Sequence, residues 1–344
     1  MVFVIGGVLV DLIMGAVPPW PRPGTETFVD HSELRAGGPA GNTVLALQAL
    51  GVPNRVVCNI GDDMFGAWLE NTFADAALGW EKVARPTAIS VGVEHPGGER
   101  SFFTAEGNLA VQTFERILDA MPAKAVAGDV ALLTGAFLYP HLIERIATLL
   151  ATLADRGFSI AFDTGWPPGG WTAATRAHAA QWLAIADHVL LNEVESQSLS
   201  GEQDIGVAAA WLARAAKAGA TVIVKRGADG VSAWRRGSVF HAPAPRVKVV
   251  DTTGAGDAFN AGYLGAWLRG APTELAIREG VAVASAAIAS SPRAYRPLQE
   301  VLAATPRREG RATRRSSSPS GGGRGGSGKA RDGEGDGGRT MRLH

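Results

Sequence analysis

The chain has 344 residues, of which 46% are hydrophobic, so it can bury one large core or two small ones. Its formal net charge is zero, but residues 307–344 carry ten basic and four acidic side chains, whereas the rest carries 23 basic and 29 acidic ones. A mildly acidic body argues against a surface that binds nucleic acid.

The cysteine content and the apolar runs indicate the cellular compartment in which the protein is found. Cys58 is the single cysteine and lies in an apolar run, so we expect a buried core residue and no internal disulfide. The first ten residues are apolar, but Asp11 follows too soon for a signal peptide. No run approaches 18 apolar residues. We therefore expect a cytoplasmic protein that does not cross a membrane.

Short apolar runs alternate with helical patterns along the body of the chain. The predicted strands are 2–5, 55–60, 130–134, 159–162, 188–191 and 221–224. The predicted helices are 39–50, 141–156, 205–218, 258–268 and 281–289. This alternation predicts an α/β fold, with a parallel sheet covered by helices on both faces. Ligands of such sheets bind beyond the carboxyl ends of the strands.

Two segments break this alternation, at about 8–35 and 86–105. The first is rich in proline and threonine, and the second has two strand-like runs joined by His95-Pro96-Gly97-Gly98, a favourable hairpin turn. Together they predict a small second sheet. A lid that closes over a site and a plain β-meander extension both fit this pattern.

Polar residues follow the first strand and open the first helix. Asp11 comes after Gly6-Gly7, where a carboxylate is well placed to accept hydrogen bonds from hydroxyl groups, although a lone loop aspartate is commonly solvated. In Gly37-Gly38-Pro39-Ala40-Gly41-Asn42, the asparagine offers both a donor and an acceptor, which suits a polyol. Asp62 or Asp63 is placed to cap the next helix.

Two further motifs follow predicted strands in the second half of the chain. In Asn192-Glu193-Val194-Glu195, the carboxylates suit a hard cation that keeps its water, but an ordinary acidic helix start has the same pattern. Lys225-Arg226-Gly227-Ala228-Asp229-Gly230 ends the strand at 221–224. A nucleotide site and a basic hairpin both fit this turn.

The most informative stretch is Asp251-Thr252-Thr253-Gly254-Ala255-Gly256-Asp257, which leads into the helix predicted at 258–268. Its two glycines remove the Cβ atoms that would block another molecule's oxygens. Unpaired amides and the positive end of the helix dipole make such a helix start an anion site. Capping by Asp257 explains part of this pattern but not the glycine pair or Asp251. We therefore predict a site of phosphate transfer.

Together these segments resemble the ribokinase-like carbohydrate kinases, the PfkB family, over roughly the first 300 residues. The resemblance implies a three-layer α/β/α fold with a mostly parallel central sheet and a small β-sheet lid, in a domain of residues 1–306. It implies transfer of the γ-phosphate of ATP to a hydroxymethyl group of a sugar or sugar-like alcohol. The chain has no G-x-x-x-x-G-K-[ST] loop, so it is not a P-loop kinase.

The resemblance also implies a role for each motif residue. The residues implied in catalysis are the base Asp257 and the anion hole of Gly254, Ala255 and Gly256. The residues implied in sugar binding are Asp11, Gly38 and Asn42. The residues implied in nucleotide binding are Asn192, Lys225, Gly227 and Gly230. The residues implied in metal binding are Glu195, for Mg²⁺ through water, and Asp251 and Thr253, for a monovalent cation such as K⁺.

Several alternatives remain open at this point. A nucleoside (adenosine-type) kinase of the same family fits the motifs, and Phe102 or Phe103 would stack on a sugar face or a base. A phosphorylated acceptor has only Arg35 and Arg100 as basic candidates near Asp11. A non-catalytic sugar- or nucleotide-binding protein would not need Asp257, and a nicotinamide-dependent oxidoreductase is suggested only by the α/β alternation.

The family resemblance and the tail's composition add two expectations. The resemblance implies a homodimer formed through the lid. The tail at 307–344 holds eleven glycines and no aromatic residue, so it cannot bury enough apolar surface to fold, and we expect a disordered appendage.

Overall fold

A computed structural model describes residues 1–17, 20–95 and 100–304 of the chain. Residues 96–98 of the turn predicted at 95–98, and the predicted disordered tail at 307–344, lie outside the described residues. Among the described residues, no helix is both long enough and apolar enough to cross a bilayer.

The described residues form strands and helices in the alternation that the sequence predicts. The strands are β1 Val2–Ile5, β2 Leu9–Met14, β3 Ser32–Gly37, β4 Asn54–Val57, β5 Ile60–Gly61, β6 Lys82–Val83, β7 Ile89–Glu94, β8 Arg100–Ala105, β9 Val130–Thr134, β10 Ser159–Asp163, β11 His188–Asn192, β12 Thr221–Lys225, β13 Val231–Arg235 and β14 Ser238–Ala242. The α-helices are α1 Gly38–Ala49, α2 Met64–Thr72, α3 Phe114–Ala120, α4 Ile143–Asp155, α5 Ala173–Leu183, α6 Glu193–Ser200, α7 Ile205–Ala215, α8 Ala255–Leu268, α9 Thr273–Ile288 and α10 Leu298–Ala304. Short 3₁₀ turns are formed by Gly107–Val111, Ala136–Leu138, Pro140–Leu142 and Gly227–Asp229.

The main sheet has eight strands in the order β14-β13-β12-β11-β10-β9-β1-β4. The six strands from β12 to β4 run parallel, and β13 and β14 add an antiparallel hairpin at one edge. The carboxyl ends of β10, β11 and β12 therefore meet at one edge of the sheet. Asn192 and Lys225 are direct cross-strand neighbours there.

Hydrophobic cores lie on both faces of this sheet. Alternate residues of β1 point to opposite faces, so Val2 and Val4 belong to one core and Phe3 and Ile5 to the other. Helices α1, α8 and α9 cover the first face, whereas α4 and α5 cover the second. The predicted three-layer α/β/α architecture is confirmed.

The second sheet is small and has the order β3-β2-β7-β8. Its strands come from the two segments that break the helical alternation, so the predicted separate sheet is confirmed. Strands β2 and β7 run parallel, and β3 and β8 pair with them antiparallel. This register places Asp11 opposite Arg35.

One predicted strand is wrong. The run at 55–60 forms two strands, because the ladder with β1 ends at Val57 and Ile60 pairs with Lys82 instead. Between them, the buried Asn59 side chain donates to the Asn108 main-chain oxygen at 2.9 Å, and Asn108 Nδ2 donates back to the Asn59 oxygen at 2.7 Å. These side-chain bonds replace the strand ladder. Cys58 is buried in the core, as predicted.

Helix boundaries also differ from the predicted ones. Helix α8 begins at Ala255, three residues earlier than predicted, and α9 begins at Thr273, so the predicted helix at 281–289 is its second half. Of the two predicted caps, Asp63 is the N-cap of α2 and accepts from the Gly66 amide at 2.8 Å.

Candidate active site

The glycine-rich turn before α8 has the shape that the sequence predicts. Gly254 is the N-cap with φ of +74°, in the left-handed region that favours glycine. A Cβ there would also lie 3.0 Å from Asn42 Nδ2. The Ala255 amide donates to the Thr252 oxygen at 3.1 Å, so the predicted contribution of this amide to the anion hole is at odds with the structure. The next two amides, those of Gly256 and Asp257, have no main-chain acceptor among the described residues. These two amides are therefore free to bind an anion.

Asp257 lies in the first turn of α8 and keeps some surface open. Its Oδ2 accepts a hydrogen bond from Asn42 Nδ2 at 3.1 Å, and Tyr295 donates to Asn42 Oδ1 at 3.3 Å. Burial and the nearby Asp163 carboxylate raise the pKa of Asp257 to about 7, although the Asn42 hydrogen bond acts in the opposite direction. A carboxylate that exchanges its proton near neutral pH is suited to act as a general base.

Asp11 lies on β2, and Gly37 makes room for its side chain. A Cβ on Gly37 would lie 2.0 Å from Asp11 Oδ2, so only glycine fits at that position. The Gly38 amide points at the same oxygen at 3.4 Å, and Gly38 has φ of +80°. Burial raises the pKa of Asp11 to about 6, against the lowering effect of the Arg35 guanidinium. Asp11 therefore faces the glycine turn at the start of α1.

A cleft of about 260 Å³ lies between the two sheets and brings the predicted acceptor site together. Its lining includes the predicted site residues Asp11, Gly38, Asn42, Thr253, Gly254 and Asp257. The small sheet contributes Ser90, Phe102 and Thr104, and the opposite wall contributes Phe137, Leu138 and Trp166. Among the described residues, no lysine or arginine lines this cleft.

Lys225 anchors a second group of polar residues at the ends of β10 and β12. Its Nζ donates to Asp163 Oδ2 at 2.8 Å and to Asn260 Oδ1 at 3.3 Å. Asn260 Nδ2 donates to the same Asp163 oxygen at 2.7 Å. Burial lowers the pKa of Lys225, but the Asp163 and Glu195 carboxylates raise it more, so the ammonium group stays charged. A Cβ on Gly256 would lie 3.2 Å from Nζ, which puts this charge beside the anion hole.

Asn192 and Glu195 form a capping box at the start of α6. Asn192 Oδ1 accepts from the Glu195 amide at 2.8 Å, and Glu195 Oε2 accepts from the Asn192 amide at 2.9 Å. Burial and the Asp163 carboxylate raise the pKa of Glu195. The helix-start alternative is therefore realised, and the role of Glu195 toward Mg²⁺ stays a prediction.

The turn after β12 contains the two other predicted nucleotide-site residues. Gly227 has φ of +51° and open space beside it. Gly230 has φ of +85°, and a Cβ there would lie 2.1 Å from the Ala242 oxygen. Gly230 is therefore required by the hairpin itself, whereas Gly227 is placed at an accessible rim.

Three arginines surround Asp251, the first residue of the anion-hole loop. Arg35 Nη1 lies 2.7 Å from Oδ2, Arg100 Nη1 lies 2.5 Å from Oδ1, and Arg293 Nη2 lies 3.1 Å from Oδ2. Although burial acts to raise its pKa, the Arg35 guanidinium, the Thr253 amide and the Arg293 guanidinium hold the pKa of Asp251 far below its usual range. The expectation of a monovalent cation on Asp251 and Thr253 is at odds with this arrangement, because guanidinium groups already occupy the oxygens.

Sequence reasoning missed several members of the site. Asp163 had a usable signal, because it is the last residue of a strand whose carboxyl end points toward the site. Asn260 lies three residues after Asp257, on the next turn of α8. Arg293 and Tyr295 gave no signal, since they lie in an irregular segment after α9.

The chain is similar to known carbohydrate kinases in sequence and in fold. The model of the pfkB family carbohydrate kinases matches residues 1–298. The 2-dehydro-3-deoxygluconokinase of Escherichia coli K12 is 30% identical over 266 residues, which cover 73% of this chain and 82% of the relative. The fructokinase of Rhizobium leguminosarum bv. trifolii is 29% identical over 280 residues, which cover 77% and 78%. The structure of Arabidopsis thaliana ribokinase complexed with ribose and ATP matches with a TM-score of 0.68 at 21% identity, covering 88% and 97%.

Proposed function

The chain belongs to the pfkB family of carbohydrate kinases and is an ATP-dependent sugar kinase, and we propose that it phosphorylates a hydroxymethyl group of an uncharged sugar or sugar-like alcohol. The observation that carries the proposal is the shared cleft of Asp257, Asp11 and Asn42 beside the free amides of Gly256 and Asp257. Base, hydroxyl-binding groups and anion hole are thus within reach of one small molecule.

In this reaction Asp257 accepts the proton of the acceptor hydroxyl while the hydroxyl oxygen forms a bond to the γ-phosphorus of ATP. The bond from this phosphorus to the β,γ-bridging oxygen breaks, and ADP leaves. The amides at the start of α8 receive the negative charge on the phosphoryl oxygens, a contribution of about 10²–10³-fold per donor in comparable anion holes. Asp11, Gly38 and Asn42 hold the other hydroxyls of the acceptor. Phosphoryl transfer has a loose transition state, so positioning and electrostatics matter more than base strength.

On the nucleotide side, Asn192, Lys225, Gly227 and Gly230 would hold ATP at the carboxyl edge of the sheet. Among the described residues, no group of three metal-ligating side chains is close enough to hold a metal by itself. Glu195 would therefore reach Mg²⁺ through water, and the magnesium would neutralise the phosphate charge. A reaction that consumes ATP, with Cys58 as a buried thiol, also supports placement in the cytoplasm.

The charge of the cleft supports an uncharged acceptor. A phosphorylated sugar or a keto-acid would need a cation, and none of the described lining residues is basic. Arg35 and Arg100, the two earlier candidates, are engaged by the carboxylates of Asp251 and Glu94. Phe102 and Leu138 instead give the cleft an apolar wall.

A nucleoside is the second candidate acceptor. Phe102, Phe137 and Trp166 line the cleft, and aromatic rings stack well on a base. A nucleoside also offers a hydroxymethyl group to Asp257, so both candidates use the same chemistry at the reacting end.

The experiment is a coupled ADP-release screen with Mg-ATP over neutral pentoses and hexoses, sugar phosphates, keto-acids and nucleosides, with Asp257→Asn as the inactive control. We expect turnover of neutral sugars and little with phosphorylated or acidic acceptors. Turnover of nucleosides alone moves the assignment to the second candidate. Turnover of a sugar phosphate or keto-acid contradicts the uncharged acceptor, and calorimetric sugar binding without any ADP release favours a non-catalytic binding protein.

The small sheet also supports a homodimer through the lid. Its register sets Leu34, Leu12, Val91 and Phe103 in one row across all four strands. Phe102, the neighbour of Phe103, faces the cleft, so this row lies on the opposite face. Leu34 and Phe103 are about half exposed. We expect light scattering to give a dimer that Leu34→Glu dissociates, and a wild-type monomer at micromolar concentration contradicts this.

A further inference from the structure

The oxygens around the anion-hole loop form a shell of the kind that hard cations use. The main-chain carbonyls of Asp251 and Thr253, the Asp251 carboxylate and the Thr253 hydroxyl converge on one region. Oxygen-only shells of this type suit metal cations. In this chain, however, each of these oxygens already accepts a hydrogen bond from an arginine.

We propose that Arg293, Arg100 and Arg35 take the place of a monovalent cation here, and that they are positioning residues which make catalysis independent of K⁺. This inference rests on the proposed kinase activity, because it concerns the loop that binds the transferred phosphate. The side chains of the three arginines are 4%, 8% and 10% exposed, so they are buried within the site and do not lie on its surface.

Arg293 makes the contacts that exclude a cation most directly. Its Nη2 donates to the Asp251 carbonyl at 2.8 Å and to the Thr253 carbonyl at 2.6 Å, and it lies 3.1 Å from the Asp251 carboxylate. One guanidinium nitrogen thus sits among three oxygens from two residues. A cation would have to displace it and leave its buried charge without these partners, which is costly.

Arg100 and Arg35 connect the same loop to the small sheet. Arg100 opens β8 and donates to Asp251 Oδ1 at 2.5 Å and to the Thr253 hydroxyl at 3.2 Å. Arg35 lies on β3, two residues before Gly37, and its Nε is 4.0 Å from Asp11. A monovalent cation would order only the loop, whereas these side chains also fix both edges of the small sheet beside it.

The charge balance of the cluster is close to neutral without an added ion. Three fixed guanidinium charges face Asp251, and Glu94, Glu33 and Asp11 lie within 4.0 Å of Arg100 or Arg35. Arginine keeps its charge at any physiological pH. All three guanidinium groups contact Asp251 itself, so the carboxylate that would hold K⁺ has no unpaired negative charge with which to recruit it.

The first test uses the wild-type chain at constant ionic strength in potassium or tetramethylammonium chloride. We measure thermal unfolding without any ligand, and the rate of ADP release with the acceptor found in the screen. The unfolding midpoint should be the same in both salts, and the rate should change by less than about twofold, because a ligand stabilises only a state that binds it. A midpoint or rate that rises saturably with K⁺ overturns the proposal.

The second test frees the shell of oxygens by the substitution Arg293→Ala. The matched control is Arg214→Ala, because Arg214 is an exposed residue of α7. In tetramethylammonium, Arg293→Ala should lose on the order of tenfold or more in turnover, since a displacement of about 1 Å can cost about 100-fold. Potassium should raise both its unfolding midpoint and its rate, but leave wild type and Arg214→Ala unchanged. An Arg293→Ala protein that matches wild type in both salts contradicts the positioning role.

The ligand-free unfolding measurement separates this proposal from the kinase assignment. If no acceptor is ever phosphorylated, the proposed function fails, yet the potassium response of the Arg293→Ala midpoint still decides whether arginine replaces a cation. If the kinase is active and potassium stabilises wild type, only the cation replacement fails.

Discussion

Asp251 and Asp257 lie six residues apart on the two sides of one glycine turn, and the protein treats their carboxylates in opposite ways. Asp251 is held by three guanidinium groups, which keep it charged. Asp257 forms no ion pair among the described residues and accepts one hydrogen bond from the neutral Asn42 amide. Its pKa is accordingly raised by burial, to about 7.

This difference gives the two aspartates different roles, a structural one for Asp251 and a chemical one for Asp257. A carboxylate with fully paired charge cannot exchange a proton near neutral pH, so Asp251 serves only to hold the loop. A buried carboxylate without a cation partner costs stability, and such costs are typical of catalytic groups. The comparison thus predicts opposite consequences when each carboxylate is replaced by an amide.

The largest expected effect is on turnover in Asp257→Asn. The amide keeps the shape of the side chain but cannot accept the acceptor's proton, and a positioned base contributes about 10²–10⁴-fold. We expect kcat for ADP release to fall at least about 100-fold, while the Kd for ATP, measured by calorimetry, changes little. Asp62→Asn, at an exposed position on the main body, is the matched control. Near-normal kcat in Asp257→Asn would refute its role as the base.

The next effect is on stability in Asp251→Asn. Loss of this carboxylate leaves three buried guanidinium groups without their shared partner, and breaking a buried ion pair typically costs about 3–5 kcal/mol. We expect the free energy of unfolding in urea to fall by about 3 kcal/mol, with no comparable loss in Asp257→Asn. Equal losses in the two variants would remove the distinction between them.

The two carboxylates also differ in how far the sequence could predict them. The glycine pair and the helix after it are local, so the position of Asp257 at a helix start was predictable, and β2 and α1 bring Asp11 and Asn42 to it as the strand order implies. The arginines that pair with Asp251 lie 216, 151 and 42 positions away along the chain. No local pattern connects them, because the contact exists only after the small sheet packs beside the loop.

The same limit applies to the remainder of the site. Asn192 and Lys225 end adjacent parallel strands, so their proximity followed from strand assignment alone. Asp163 ends a third strand in the same way, but a single aspartate after an apolar run gives no sign of its partners. Whether Asn59 continues a strand or leaves it depends on Asn108, which lies in a distant turn.

A smaller effect concerns stability as a function of pH. Because the folded pKa of Asp257 is raised to about 7 from its ordinary 3.8, its favourable contribution is complete below pH 3.8 and is lost as pH rises through 7. Asp257→Asn lacks this loss. Between pH 5 and pH 8 the variant should therefore gain about 1–3 kcal/mol in unfolding free energy relative to wild type, at about 1.4 kcal/mol per pKa unit. Urea unfolding at the two pH values measures the difference in unfolding free energy between the variant and wild type. If this difference is the same at both pH values, the pKa of Asp257 in the folded protein is not raised.

The smallest effect tests which neighbouring residue raises the pKa of Asp257. The rate kcat/KM should fall below about pH 7 as the base becomes protonated. The Asp163 carboxylate raises the pKa of Asp257, and Asp163→Asn replaces this carboxylate with a neutral amide. Lys225 then also loses its ion-pair partner, so the positive charge of Lys225 acts more strongly on Asp257. Both changes favour the charged base, so the acid limb of the pH–rate profile should move to lower pH, by about one unit or less given typical charge–charge effects. Because several carboxylates titrate together here, the limb reports the group as a whole. Asp62→Asn should leave the limb in place. A limb that stays in place or moves upward in Asp163→Asn would show that the Asp163 carboxylate does not raise the proton affinity of the base.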